Sequence, residues 1–246
     1  LTFLNFTMNK SSKNIVFFVG ARGGSVGLKN KNLRKIKKKT LLSITISQIK
    51  KSKFYSQIIV SSDSTAILKE ARKSCKGILI KRPNNLSRST TPKFKVWKHA
   101  IKFYEKSSGN NIDLLVDLDC TNPLRYTQDI DNIIKMKLRN EKSDAVVSIA
   151  NSRKNPYFNM LEYNKSQYLK ISKEKKNWPS RRQDAPKVYD QVASIYCMNA
   201  NFVKKNNFLY QGNIKGYLVK DFQAFDVDNH LDFDLINYLY TKYKFN

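Results

Sequence analysis

Histidine and cysteine are scarce, with two and three residues among 246. His99 and His230 stand in no supporting motif, which leaves a histidine-built zinc site or a Ser-His-Asp centre without its parts. Both read as ordinary residues, one on a helix face and one at a helix start. Cys75, Cys120 and Cys197 are odd in number, widely spaced and form no C-x-x-C pair. Neither a disulfide framework nor a thiolate metal site is indicated, and reduced thiols are expected. Acidic residues are also few, 19 Asp and Glu against 46 Lys and Arg, for a formal net charge of +27. No apolar run approaches the roughly 18–20 residues of a membrane-crossing helix. The opening Leu1–Thr7 is short and lacks the basic leader of a secretory signal. The expectation is a soluble, cytoplasmic chain with no membrane partner.

What is present is a 41% hydrophobic composition, enough for one sizeable core. A single α/β domain over residues 14–246 is expected, with residues 1–13 as a disordered extension. The positive charge raises nucleic acid as a partner. The basic residues are 10 arginines and 36 lysines, however, spread over every segment without a clustered arginine and aromatic motif. Nucleic acid is therefore not the expected partner, and polyanionic small substrates fit the same charge. The densest basic run, Lys35–Lys39, reads as a solvated turn.

Along the chain, short apolar runs rich in β-formers alternate with amphipathic segments. Strands are predicted over 14–19, 57–61, 77–80, 114–118, 145–149, 194–197 and 216–219. Helices are predicted over 40–50, 64–73 (capped by Ser64), 93–105 after Pro92, 127–139 (capped by Thr127), 200–206 and 229–243. In the last helix Leu231, Leu235, Leu239 and Tyr243 read as the core-facing stripe. The alternation implies a three-layer α/β/α fold with a mostly parallel sheet, which binds ligands beyond the carboxyl ends of its strands. Residues 151–190 break the rhythm; this polar, proline-containing stretch reads as an excursion that caps a site or pairs subunits.

Four segments carry chemistry. Gly20–Asn32, directly after the first strand, offers glycines through which amides approach phosphate oxygens, the Ser25 hydroxyl, and the cations of Arg22 and Lys31. It matches neither standard nucleotide fingerprint, so a plain glycine turn stays open beside a phosphate cradle. In Asp226-Val227-Asp228, extended backbone points both carboxylates the same way, towards one hard cation such as Mg²⁺. The alternative is that Asp228 caps the final helix. Asp117–Arg125 ends a buried strand, where carboxylates are costly unless they meet a ligand, a metal or a hydrogen-bond network. In Arg181–Pro186, paired arginines suit a carboxylate or phosphate clamp, or plain surface.

In order and wording these segments resemble the cytidylyltransferases that activate nonulosonic acids, the family of CMP-sialic acid synthetases and their legionaminic- and pseudaminic-acid relatives. Ala21-Arg22-Gly23-Gly24-Ser25 with Gly27 and Lys31-Asn32 resembles the family's A-R-x-x-S-K-G…K-N signature, and Ile59–Asp63 its V-V-S-T-D strand. Lys81-Arg82-Pro83 with Leu86, Thr121–Arg125, Lys154–Tyr157, Arg181–Pro186, Ser194–Tyr196 and Asp226–Asp228 continue the match in order. The R-R-Q-D-A-P and K-N-P-Y wording is closest to the legionaminate-type branch. The resemblance implies a Rossmann-like nucleotidyltransferase sheet, and a Mg²⁺-dependent reaction of CTP with a nine-carbon 2-keto sugar acid to give the CMP-sugar and pyrophosphate.

It also implies roles. Ala21, Arg22, Gly23, Ser25, Lys31, Asn32 and Arg82 correspond to nucleotide and triphosphate contacts, with Arg22 and Lys31 placed to neutralise charge in the reaction. Asp226 and Asp228 correspond to the metal carboxylates. Arg182, Gln183, Tyr196 and Asp119 correspond to sugar-acid contacts, and Asp119 is a candidate to activate the attacking hydroxyl. Residues 154–184 resemble the arm by which two subunits of a homodimer complete each other's sugar pockets.

Five positions depart from the pattern. Gly20 stands where proline is common, Val26 where lysine is usual, Ser89 where aspartate is, Val192 where asparagine is, and Asp119 where glutamine is frequent. The competing expectations are a CMP-Kdo synthetase-like or other sugar nucleotidyltransferase, a relative that binds CTP without turnover, and a basic nucleic-acid-binding protein.

Overall fold

The computed structural model describes residues 13–25, 27–243 and 245. The greater part of the expected N-terminal extension, residues 1–12, and Val26 lie outside the described residues.

A seven-stranded sheet forms the centre, in the order β11-β7-β10-β6-β1-β4-β5. Its strands are β1 (Ile15–Gly20), β4 (Gln57–Ser62), β5 (Ile78–Lys81), β6 (Leu114–Leu118), β7 (Ala145–Asn151), β10 (Tyr189–Asn199) and β11 (Ile214–Leu218). Two small hairpins, β2 (Lys35–Ile36) with β3 (Lys39–Thr40) and β8 (Leu161–Tyr163) with β9 (Leu169–Ile171), lie outside it. The helices are α1 (Leu41–Lys50), α2 (Thr65–Ser74), α3 (Lys93–Ser108), α4 (Thr127–Arg139), α5 (Ala200–Lys205) and α6 (His230–Tyr243). Only β10 runs against its neighbours β6 and β7; every other pairing in the large sheet is parallel.

Strand alternation sorts the core into two layers. Ile15, Phe17 and Val19 of β1, with Leu114, Val116 and Leu118 of β6, pack under α1, α2 and α4. Val16, Phe18 and Leu115 pack on the other face under α3 and α5. The same period carries Asp117 and Asp119 to the α3 face at the carboxyl edge. Because β1, β4, β5 and β6 are parallel, the segments that follow them all emerge at that one edge: the glycine loop, Asp63, Arg82 and Asp119.

Each predicted strand and helix of the central layer is present, with ends displaced by a few residues. Ser64 caps α2 as expected, its hydroxyl accepting from the Ile67 amide. Three expectations need correction or completion. Thr127 does not cap α4; Tyr126 holds the cap position and the Asp129 carboxylate reaches back to the Tyr126 amide at 3.1 Å. The Leu231, Leu235, Leu239 and Tyr243 stripe is not the buried face of α6, since Leu231 is 76% exposed. Ile236 is the buried residue, and Phe233, Leu239 and Tyr240 pack around it onto Leu28, Ile36, Leu41, Leu124 and Val227. The helix carries apolar residues on every side, so a spacing of four picked the wrong one. The Lys35–Lys39 run is a tight turn between two two-residue strands, with its lysines exposed, Ile36 buried and Lys37 at a left-handed φ of 54°.

Candidate active site

The glycine loop is anchored at both ends. The Ala21 amide donates to the Ser61 carbonyl at 3.0 Å, and the Gly23 amide to Asp63 Oδ1 at 2.9 Å. A side chain at Gly23 would come within 2.9 Å of Ser64 Cβ, so glycine permits this approach. Further on, the Asn32 amide group donates to the Arg22 carbonyl at 3.0 Å, which folds the loop back on itself. Asn30 takes a left-handed φ of 55° and leads into the turn that carries Lys31 and Asn32.

Lys31 joins the loop to the Asp226–Asp228 segment. Its ammonium donates to the Val227 carbonyl at 2.9 Å and pairs with Asp228 Oδ1 at 3.0 Å. Gly27 lies so close that an added Cβ would sit 2.2 Å from the Asp228 carbonyl oxygen. The Val227 amide donates to the Thr121 carbonyl at 2.8 Å, and buried Asn122 donates to the Gln223 carbonyl at 2.7 Å. The two acidic segments are thereby stitched together. The cap of α6 is built by Asn229 and Asp232, whose side chains exchange bonds with backbone amides. Asp228 is thus left free of the capping role and turns its carboxylate to Lys31.

A cleft is lined by Arg22, Lys31, Asn32, Arg82, Lys93, Asp117 and Asp119. Arg82 is buried, donates to the Ser61 carbonyl at 3.1 Å and leaves Nε without a partner among the described residues. Ser25 Oγ is likewise buried and unpartnered. Polar groups in that state are rare unless a ligand or water meets them. Burial lowers the pKa of Arg82, and neighbouring Arg22 adds to the effect against the pull of Asp63 and Asp117. Burial raises that of Asp226, and the negative charge of Asp228 adds to it against the pull of Lys31. Arg22, Lys31 and Arg82 gather positive charge in the cleft, and Asp228 reaches it through its pair with Lys31; a cleft of this charge suits an anionic ligand.

Ala21, Arg22, Gly23, Ser25, Lys31, Asn32, Arg82, Asp119, Asp226 and Asp228 are therefore brought together around this carboxyl edge. Tyr196 stands behind Asp119, with Lys93 Nζ 4.5 Å from its ring centre. Arg182 and Gln183 are not in the cleft: both are exposed, and Arg182 donates to the Ser152 carbonyl at 2.7 Å. Arg181 is occupied by Asp184 in a two-bond pair at 3.0 Å. Ser89 lines the cleft, whereas Val192 packs against Ala150 and Val219 and points into apolar surroundings.

Sequence reasoning gave no role to Asp63, Lys93 or Trp97. Trp97 Nε1 donates to Asp117 Oδ2 at 3.0 Å and Lys93 pairs with Asp117 and Asp119. A lysine opening a helix, against the sign of the helix dipole, was the signal available in the sequence.

The fold is that of the nucleotidyltransferase class. A solved CMP:2-keto-3-deoxy-manno-octonic acid synthetase complexed with CTP aligns with a TM-score of 0.69 at 14% identity, over 94% of this chain and all of that one. The 4-diphosphocytidyl-2C-methyl-D-erythritol synthase of Anaerococcus prevotii aligns with a TM-score of 0.60 at 14% identity, over 93% and 96%. At these identities the likeness is one of fold. In sequence, the chain is 35% identical over 225 residues to post-translational flagellin modification protein B of Campylobacter coli. It is 34% identical over 225 residues to the CMP-N,N'-diacetyllegionaminic acid synthase of Campylobacter jejuni subsp. jejuni serotype O:2. Each alignment covers 92% of this chain and 94% of the relative. Residues 16–240 match the cytidylyltransferase family, and the chain belongs to it.

Proposed function

We propose that this cytidylyltransferase activates a nonulosonic acid of the legionaminic type. CTP and the sugar acid give the CMP-sugar and pyrophosphate. The observation that carries the reading is the convergence of Arg22, Lys31 and Arg82 in one cleft at the sheet edge, with Asp228 paired to Lys31 and the Ser25 hydroxyl unpartnered among the described residues. The relatives named for flagellin modification and for CMP-N,N'-diacetyllegionaminic acid support the choice of acid.

In this reading the loop amides, Ser25 and Arg82 hold the nucleotide, and Asn32 keeps the loop closed. The anomeric 2-hydroxyl of the sugar acid attacks the α-phosphorus, a P–O bond forms, and the bond to the β-phosphate breaks. Pyrophosphate leaves with that electron pair. Arg22 and Lys31 neutralise the charge that grows on the phosphoryl oxygens. Asp119 accepts the hydroxyl proton, and Tyr196 backs it. The protein contributes position and charge and needs no covalent nucleophile.

Among the described residues there is no group of three or more His, Cys, Asp or Glu side chains placed to hold a metal. Asp226 and Asp228 nonetheless fit Mg²⁺, which keeps several waters and takes one or two carboxylates together with substrate phosphates. When bound there it would supply Lewis-acid charge beside the triphosphate.

In this reading the protein is a homodimer built from one domain per chain. Arg182 and Gln183 lie on the 151–190 excursion, outside their own cleft, and in this reading they and the excursion close the sugar pocket of a second copy. The test is pyrophosphate release from CTP with N,N'-diacetyllegionaminic acid under Mg²⁺ titration. Release that chelator abolishes and Asp228→Asn reduces at least tenfold supports the reading; release indifferent to both contradicts it.

A further inference from the structure

Lys93 opens α3 with its ammonium at the positive end of the helix, a placement that disfavours a cation. Two carboxylates offset this. Alternation along β6 puts Asp117 and Asp119 on the face that α3 covers, and Lys93 Nζ pairs with Asp117 Oδ2 at 3.4 Å and more closely with Asp119 Oδ2. The rings of Tyr196 and Trp97 stand 4.5 and 5.8 Å from the same nitrogen. Tyr196 is fixed from behind: Gln191 donates to its hydroxyl at 3.2 Å and receives the Tyr210 hydroxyl at 2.6 Å.

The three members differ in exposure. The Asp117 side chain is 2% exposed and tied to Trp97, that of Asp119 is 15% exposed at the cleft, and that of Lys93 is 45% exposed. Neutralising Asp117 would need only the buried contact. Lys93 instead reaches past it and makes its closer contact with the residue that faces the cleft. An ammonium has three donors; the carboxylates take two, in directions that fix Asp119 relative to Asp117.

We propose that Lys93 is a positioning residue: its ammonium ties the Asp119 carboxylate to the buried Asp117–Trp97 pair and sets it, against Tyr196, on the sugar-acid side of the cleft. The proposal rests on the reading that Asp119 meets the sugar acid.

A single Lys93→Met substitution leaves Asp117 as an unpaired buried charge and lowers stability for that reason alone. The informative variant is Lys93→Met with Asp117→Asn, which removes charge and counter-charge together and keeps an oxygen for Trp97. Stability is read by thermal unfolding, CTP binding by calorimetry, and turnover by pyrophosphate release with CTP and N,N'-diacetyllegionaminic acid. Expected is a double variant that melts close to the unsubstituted protein and binds CTP as well, with kcat about 100-fold lower and KM for CTP little changed, as follows from misplacing one catalytic group. Lys93→Arg keeps a rate between the two, because a guanidinium can still bridge both carboxylates. Full kcat in the double variant overturns the proposal and reduces Lys93 to a counter-charge for Asp117. Loss of CTP binding or of folding in the double variant also overturns it, since Lys93 would then hold up the cleft itself. An unsubstituted protein that binds CTP but forms no product with any nonulosonic acid fails at the earlier step, the reading of the reaction.

Discussion

Arg125 is buried beneath the cleft and holds the backbone that shapes it. Its guanidinium donates to Gln48 Oε1 at 2.9 Å, the Ser194 carbonyl at 2.7 Å, Thr45 Oγ1 at 3.1 Å and the Asp119 carbonyl. Burial pushes its pKa down to about 10, which still leaves it charged at neutral pH. Arg125→Met would orphan these buried acceptors at about 1–3 kcal/mol apiece. A loss of roughly 3 kcal/mol or more in urea unfolding is expected, with the 119–122 segment released. Burial likewise pushes the thiols of Cys120 and Cys197 up to about 12 and raises that of Cys75. A raised thiol carries almost no thiolate at pH 8. Iodoacetamide at that pH is expected to modify none of the three in the native protein and all three in denaturant, as mass spectrometry would show. At this scale the sequence made Asp226 and Asp228 visible through their spacing. It left the role of Lys93 hidden, because a lysine at a helix start names no partner, and Asp117 and Asp119 reach it only where β6 and α3 meet in space.

Among the elements, the glycine loop and the Asp226–Asp228 segment lie almost 200 residues apart in sequence and in contact in the fold. Gly27 is the point of closest approach. Gly27→Ala is expected to push the loop off Asp228, separate Lys31 from its carboxylate and weaken CTP binding at least tenfold. Thermal stability should change little, since the loop sits at the sheet's edge. Calorimetry and thermal unfolding read the two effects separately. The buried strands β1, β4 and β6 were legible because continuous Val, Ile, Leu and Phe runs suit a sheet covered on both faces. The direction of β10 was not, since a single strand's pattern says nothing of which way it runs. Helix α6 was found but turned wrongly, and the hairpins at 35–40 and 161–171 are too short to show a period.

For the whole molecule, no helix among the described residues is long and apolar enough to cross a membrane. The excursion instead exposes Leu161, Tyr163, Tyr168, Leu169 and Trp178, a concentration of apolar side chains that suits burial against another surface. In the proposed dimer, Leu161→Lys with Leu169→Lys yields a monomer by analytical ultracentrifugation. That monomer retains CTP binding and loses turnover, because Arg182 no longer reaches a partner's cleft. That Arg182 and Gln183 lie outside their own cleft became visible only in the fold.

The central claim is the reaction and its acid. The most direct measurement is mass-spectrometric detection of the CMP-sugar after incubating the protein and Mg²⁺ with CTP or UTP and each of N,N'-diacetyllegionaminic, pseudaminic, N-acetylneuraminic and Kdo acids. The account predicts CMP-N,N'-diacetyllegionaminic acid as the dominant product, with CTP alone as donor. A dominant CMP-Kdo or a uridylyl product would contradict it, as would bound CTP with no product from any acid.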